Sequence, residues 1–177
     1  MTVTLHVVAS LDGFIANREN TVSWMDSFDV YEAGVSGDDD AQVLPSIDCY
    51  VVGARTYEHA LELGWPYGDT PTFVITHRKL PNTRANVEFY SGDLKKLVHE
   101  ILTPRYRSIW LVGGAILAQS FLSLDLVDEM RLMVAPVTLG DGLNLFGNSG
   151  AERKWHLKNV VAYKNGFVEL TYGRPIQ

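Results

Sequence analysis

The chain carries one cysteine, Cys49, so no internal disulfide can form. That absence points to the reducing cytoplasm rather than to a disulfide-stapled secreted scaffold. Basic residues are also few: 15 Lys and Arg stand against 21 Asp and Glu, a net charge of −6. A protein that reads nucleic-acid backbones shows a basic face, so nucleic acid is not the expected partner. A small phosphorylated ligand needs only a few local cations and stays open. No apolar run approaches the roughly 20 residues that span a bilayer. The N-terminus lacks the basic stretch that opens a signal peptide. Also missing are a phosphate loop ending G-K-[ST], the H-E-x-x-H zinc helix, G-x-S-x-G and paired Cys-x-x-Cys. No metal site is expected. Asp38-Asp39-Asp40 lacks the spacing of a calcium loop and reads as a cap for a helix near Ala41.

What is present suits one domain of 177 residues, with 46% apolar and 20% charged residues. Short, continuous apolar runs read as strands covered on both faces: Val3–Ala9, Asp48–Val52, Thr72–Thr76, Val87–Tyr90 and Ser108–Val112. Helices are expected over Arg55–Leu63, Asp93–Leu102 and Ala115–Leu122, with one or two more between residues 24 and 46. Ser91 or Asp93 can cap the second of these. The last third changes character. Met130–Val137 reads as a strand, and Leu139–Gly150 as a glycine- and asparagine-rich loop. Trp155–Tyr163 and Phe167–Tyr172 read as strands joined at Asn165-Gly166, a hairpin signal because both residues tolerate positive φ. βα units followed by an antiparallel hairpin predict an α/β fold: a mixed, mainly parallel sheet with helices on both faces.

Four segments can carry chemistry. Ser10-Leu11-Asp12-Gly13 follows the first strand and can present the Asp12 carboxylate at the C-terminal edge of the sheet, where open α/β sheets bind ligands. There Asp12 can orient substrate or assist protonation, or simply form a turn. Gly53 and Arg55 stand where a strand passes into a helix, a place suited to phosphate or to an ordinary turn with a solvated arginine. Gly113-Gly114-Ala115 repeats that arrangement, and its glycines let a ligand approach the backbone closely. Thr76-His77-Arg78-Lys79 gathers potential cations that can receive a 2′-phosphate or face solvent before Pro81. Trp24, Phe28 and Tyr31 would give a planar substrate a flat wall, or pack a helix.

Taken in order, S-L-D-G-F-I-A, V-V-G-A-R-T-Y-E, F-V-I-T-H, I-W-L-V-G-G-A and P-V-T-L-G-D-G-L-N-L-F resemble the dihydrofolate reductase superfamily. The similarity is greatest to the C-terminal reductase domain of the bifunctional riboflavin-biosynthesis deaminase-reductase, and to its small stand-alone bacterial relatives. It runs from Val3 to Tyr172. The resemblance implies a dihydrofolate-reductase-like three-layer fold with NADPH across the C-terminal edge of the sheet. Gly53, Arg55 and Thr56 would then lie near the adenosine phosphates. Thr76, His77 and Arg78 would bracket the adenine ribose and 2′-phosphate, and Val112, Gly113, Gly114 and Ala115 the pyrophosphate. Ala9, Ile15 and Ala16 would face the nicotinamide, and Asp12 would be the catalytic residue. Ala54 stands where G-R-x-T has its arginine, so the 2′-phosphate contact falls to Arg55 or Arg78.

The expected activity is hydride transfer from NADPH to a small heterocyclic, imine or carbonyl substrate, related to 5-amino-6-(5-phosphoribosylamino)uracil reduction. Pterin reduction of the dihydrofolate reductase type is the alternative within the fold. A non-catalytic nucleotide-binding module, with Trp24, Trp65 or Tyr67 sealing the nicotinamide position, is the alternative outside enzymology. The proton donor is expected to be Asp12, with a pKa raised if the carboxyl is partly buried, or else Tyr57 or a bound water. A homodimer using the terminal strands is implied.

Overall fold

The structure, a computed structural model, describes residues 1–26, 30–36, 46–147 and 152–175. Strands β1 (Thr2–Ser10), β3 (Cys49–Gly53), β4 (Thr72–Ile75), β5 (Val87–Tyr90), β6 (Ser108–Gly113) and β7 (Glu129–Ala135) carry the apolar, β-branched runs. With β9 (His156–Ala162) and β10 (Val168–Gly173) they form one sheet in the order β5-β4-β3-β6-β1-β7-β10-β9. The first six in that order run parallel, and β10 pairs antiparallel with both β7 and β9. The mixed, mainly parallel sheet expected from the element order is therefore the one observed.

Helices cover both faces. On one, α1 (Ala54–Glu62) buries Tyr57 and Ala60 against Val52, Val74 and Val87. On the other, α2 (residues 94–102) and α3 (Ala115–Ser123) cover Leu5, Val51, Phe73 and Leu111 with Val98, Leu102, Ala118 and Phe121. Helix α2 starts as an α-turn at Leu94–Lys96 and continues as a π-helical turn over Leu97–Leu102. Asp93 caps it by accepting from the Lys96 N–H at 2.9 Å. Cys49 is buried in β3, and burial pushes its thiol up to about 12, which makes it a packing residue rather than a nucleophile.

Two expectations are corrected, and the hairpin is found where it was expected. The 139–150 segment is not all loop, since β8 (Leu143–Asn144) pairs with β2 (Phe14–Ala16). Of the helices expected between residues 24 and 46, the first is a 3₁₀ turn at Ser23–Asp26 followed by irregular backbone at 30–36, and residues 27–29 and 37–45 lie outside the described residues. Phe28 and Asp38-Asp39-Asp40 lie outside the described residues. In the hairpin only Gly166 takes positive φ, +82°, while the Asn165 side chain accepts from the Phe167 N–H at 3.3 Å. The Tyr163 carbonyl accepts from the Gly166 N–H at 3.0 Å and closes the turn.

The α1 face also holds a polar cluster. His6 of β1 stacks on Trp110 of β6 with ring centroids 4.6 Å apart, and faces Arg131 of β7 in register. Burial and then the Arg131 charge lower the His6 pKa to about 4. In the unfolded chain it would titrate near 6.5. The unfolded state therefore binds the proton first as pH falls. The stability held in neutral His6 is complete above about pH 6.5 and drains as pH drops toward 4, about 3 kcal/mol in all. Urea midpoints from pH 7 to pH 4 should show this loss in the wild type and much less of it in His6→Gln. An equal slope in both proteins would remove His6 as its source.

Candidate functional site at the C-terminal edge of the sheet

Two strand-to-helix turns meet beside each other. Helix α1 starts at Gly53 and α3 at Gly114, and neither N-terminus has a side-chain cap. The N–H groups of both first turns are thus left to a ligand or to water. A Cβ added at Gly53 would stand 3.5 Å from the Gly113 carbonyl oxygen and 3.5 Å from the Gly114 nitrogen, and one at Gly114 would stand 3.7 Å from Thr56 Oγ1. Gly53, Thr56, Gly113 and Gly114 therefore line one cradle kept open by missing side chains. Gly113 has φ +105°, a conformation that requires glycine, and the peptide between it and Gly114 is cis. The backbone here fits a pyrophosphate. Ala115, the first residue of α3, is fully buried. Val112 is half-buried and packs against the α1 cluster.

Beyond Gly53, at the end of β4, Thr76 Oγ1 accepts from the Arg78 N–H at 3.0 Å. Arg78 does not wait free for a phosphate. It donates through both terminal nitrogens to the two carboxylate oxygens of Glu58 on α1, at 2.9 and 2.6 Å. His77 and Arg55 are exposed nearby in the chain. Glu58 was missed because it stands 20 residues from Arg78 in sequence and no local pattern ties them together.

On the other side of β6, β1 ends at Ser10, and Asp12 sits in the turn that follows. The Asp12 carboxylate accepts from Ser10 Oγ at 2.6 Å, from the Leu139 N–H at 3.0 Å and from the Gly140 N–H at 2.7 Å. These bonds, the Ser10 hydroxyl first, lower its pKa to about 2. The burial that would raise the Asp12 pKa is not met, because the carboxyl is solvent-exposed. At neutral pH Asp12 is an ionised acceptor that ties the β1 turn to the 139–140 loop, and it holds no proton to give. Tyr57 is no proton donor either. It is fully buried and its hydroxyl donates to the Pro81 carbonyl at 2.8 Å.

Ala9 and Ala16 are buried and Ile15 half-buried at this end of β1 and in β2. An Arg18–Asp141 ion pair crosses from the loop after β2 to the loop that Asp12 holds. A cavity of about 360 Å³ opens there, lined by Asn17, Arg18, Glu19, Leu139, Gly140 and Asp141. A larger one, about 510 Å³ between Asp125, Trp155 and Arg174, lies at the opposite end of the sheet, away from the glycine turns. The flat aromatic wall is corrected as well. Trp24 is buried against Ala135, Tyr163 and Phe167, whereas Tyr31 is exposed. Trp65 and Tyr67 pack with Tyr57 over β3 and β4. None of the three aromatic residues expected to seal the nicotinamide position is left over for that task. Among the described residues no group of three His, Cys, Asp or Glu side chains could hold a metal ion. No helix among them is long and apolar enough to cross a membrane.

Comparison with known proteins follows the same outline. The RibD C-terminal domain family matches residues 1–168. An uncharacterised Bacillus subtilis protein, YwjB, is 30% identical over 172 residues, covering 96% of each chain. A second from that organism, YyaP, is 25% identical over 96% of this chain and 93% of its own. Among solved structures, a Shewanella protein assigned provisionally to riboflavin biosynthesis superposes with a TM-score of 0.83 at 24% identity, over 99% of this chain and 100% of its own. The deaminase and 5-amino-6-(5-phosphoribosylamino)uracil reductase of Thermotoga maritima gives 0.69 at 15% identity. There the match covers 98% of this chain but 56% of that longer one. These structures share the fold.

Proposed function

Because the chain belongs to the RibD C-terminal domain family, we propose that it is an NADPH-dependent reductase of a small heterocyclic, imine or carbonyl substrate. The observation that carries this reading is the convergence of two uncapped helix starts on the cradle of Gly53, Gly113 and Gly114. Paired amide clusters of this kind suit a pyrophosphate. Bound NADPH would supply a hydride from its nicotinamide. The chain supplies the rest. Gly53, Thr56, Gly113 and Gly114 hold the phosphates, with Arg55 and Arg78 toward the adenosine end. Ala9, Ile15 and Ala16 offer an apolar surface that excludes water from the reacting face. Asp12 fixes the loop at Leu139 and Gly140 beside the substrate cavity. The proton that accompanies the hydride enters from water, since Asp12 is ionised and Tyr57 is sequestered. A dimer belongs to the same proposal: β9 is the outermost strand and exposes Leu157 and Val160, and sedimentation as a monomer would remove it.

Titration with NADPH and with NADH, followed by tryptophan fluorescence, tests the reading. Gly53→Val sharpens it. A Cβ at Gly53 meets its neighbours at ordinary contact distance, so the variant should fold. The added methyl groups occupy the cradle, and the NADPH Kd should rise about a hundredfold, roughly 2.7 kcal/mol. If neither dinucleotide binds the wild type, or if Gly53→Val binds as well as wild type, the phosphate seat is misplaced. Substrate screening would then begin with aminopyrimidines and pterins.

A further inference from the structure

We propose that Glu58 weakens the preference of this site for NADPH over NADH, because a 2′-phosphate must compete with its carboxylate for Arg78. The inference rests on the dinucleotide reading above. The corner where β4 meets α1 holds Arg55 and Arg78, which both flank the Glu58 carboxylate, with Lys79 next along the chain. Glu58 stands one turn after Arg55 on α1 and grips Arg78 through two hydrogen bonds, at 2.9 and 2.6 Å. The Arg78 bonds, and more weakly the Arg55 charge, hold the Glu58 carboxyl below the usual range. Arg78 and Glu58 keep 55% and 40% of their side-chain surface in solvent, so the pair adds little to folding. Its consequence is local. A pyrophosphate on Gly53 and Gly113-Gly114 brings one end of the dinucleotide toward this corner, which lies beside α1 at the C-terminal edge of β4. A phosphate arriving there must take Arg78 from Glu58 and then remain beside a carboxylate of its own sign. A ribose hydroxyl meets no such opposition and can donate to that carboxylate, the arrangement by which an acidic residue favours NAD over NADP. Two arginines in the sequence therefore overstate the selectivity for NADPH, because one is already neutralised.

Dissociation constants for NADPH and NADH, measured by fluorescence at about 50 mM salt, test this in wild type, Glu58→Gln and Glu58→Asp. Glu58→Gln keeps the size and removes the charge. It should tighten NADPH about tenfold while NADH stays unchanged or weakens. The gain should shrink at about 0.5 M salt, where charges a few ångströms apart in solvent are screened. Glu58→Asp keeps the charge and should retain the wild-type ratio. If NADPH binds the wild type and the NADPH-to-NADH ratio in Glu58→Gln stays within twofold, the inference fails and the cofactor reading stands. An equal gain for both cofactors overturns it in the same way. Should neither dinucleotide bind any of the proteins, the cofactor reading falls and takes this inference with it.

Discussion

Replacing Glu169 by alanine should cost about 3–5 kcal/mol of unfolding free energy. Glu169 of β10 retains 3% of its side-chain surface and Arg131 of β7 retains 11%. The guanidinium donates to Glu169 Oε1 through Nε at 3.0 Å and also through a terminal nitrogen. It lies 5.9 Å from the Trp110 ring centroid, and Trp110 in turn stacks on His6. Removing the carboxylate leaves a guanidinium that has lost its counter-ion and cannot rehydrate, so most of the cost comes from that stranded charge. Removing both members should therefore cost much less than removing one, and Arg131→Met with Glu169→Leu should recover most of the loss. Urea unfolding at pH 7 decides between these outcomes, provided the m-value is constant across the series. A single-variant loss under about 1 kcal/mol would show that water reaches the cluster and that the pair behaves as a surface contact. The size matters because a domain's whole stability is about 5–15 kcal/mol. The pair also joins the parallel part of the sheet to the C-terminal hairpin, so its loss should loosen β10 and β9 before the glycine turns.

This pair shows where sequence reading stops. The strands were legible because each parallel strand is a short, mostly apolar run, and the assigned ends fall within two residues of those observed. The glycine turns were legible for a related reason: a strand, one or two glycines and a helix are contiguous in the chain. Arg131 and Glu169 are not contiguous, and nothing near either residue announces a partner 38 positions away. The same holds for Glu58 and Arg78, and for β2 and β8, which have three and two residues and meet across more than 120 positions. Such short pairings have no period to detect. Trp24 illustrates a different limit. A large aromatic residue reads alike as a ligand wall or as packing, and only the positions of Ala135, Tyr163 and Phe167 decide for packing. Asp12 was located correctly at the sheet edge, but its ionisation depends on amides 127 and 128 residues further along.

Those amides make Asp12→Asn informative. The wild-type carboxylate accepts from one hydroxyl and two backbone N–H groups, and all three partners are donors. An asparagine oxygen can take both N–H groups only with its NH₂ turned to Ser10 Oγ, which must then accept instead of donate, and the neutral amide holds the two N–H groups more weakly than the carboxylate did. The 139–140 loop should then shift beside the cavity at Arg18 and Asp141, while the cradle at Gly53 and Gly113-Gly114 stays intact. The expected result is a kcat lowered by about a hundredfold, the scale on which a misplacement near 1 Å acts, with the NADPH Kd within twofold of wild type. Asp12→Glu keeps the charge and should restore part of the rate. The pH profile separates positioning from proton transfer. With a pKa of about 2, wild-type Asp12 is fully ionised throughout the working range, so no limb of the kcat profile between pH 5 and 8 should belong to it. A limb in that range that vanishes in Asp12→Asn would overturn the positioning role and return Asp12 to proton transfer. An unchanged kcat in Asp12→Asn would instead detach the 139–140 loop from catalysis altogether.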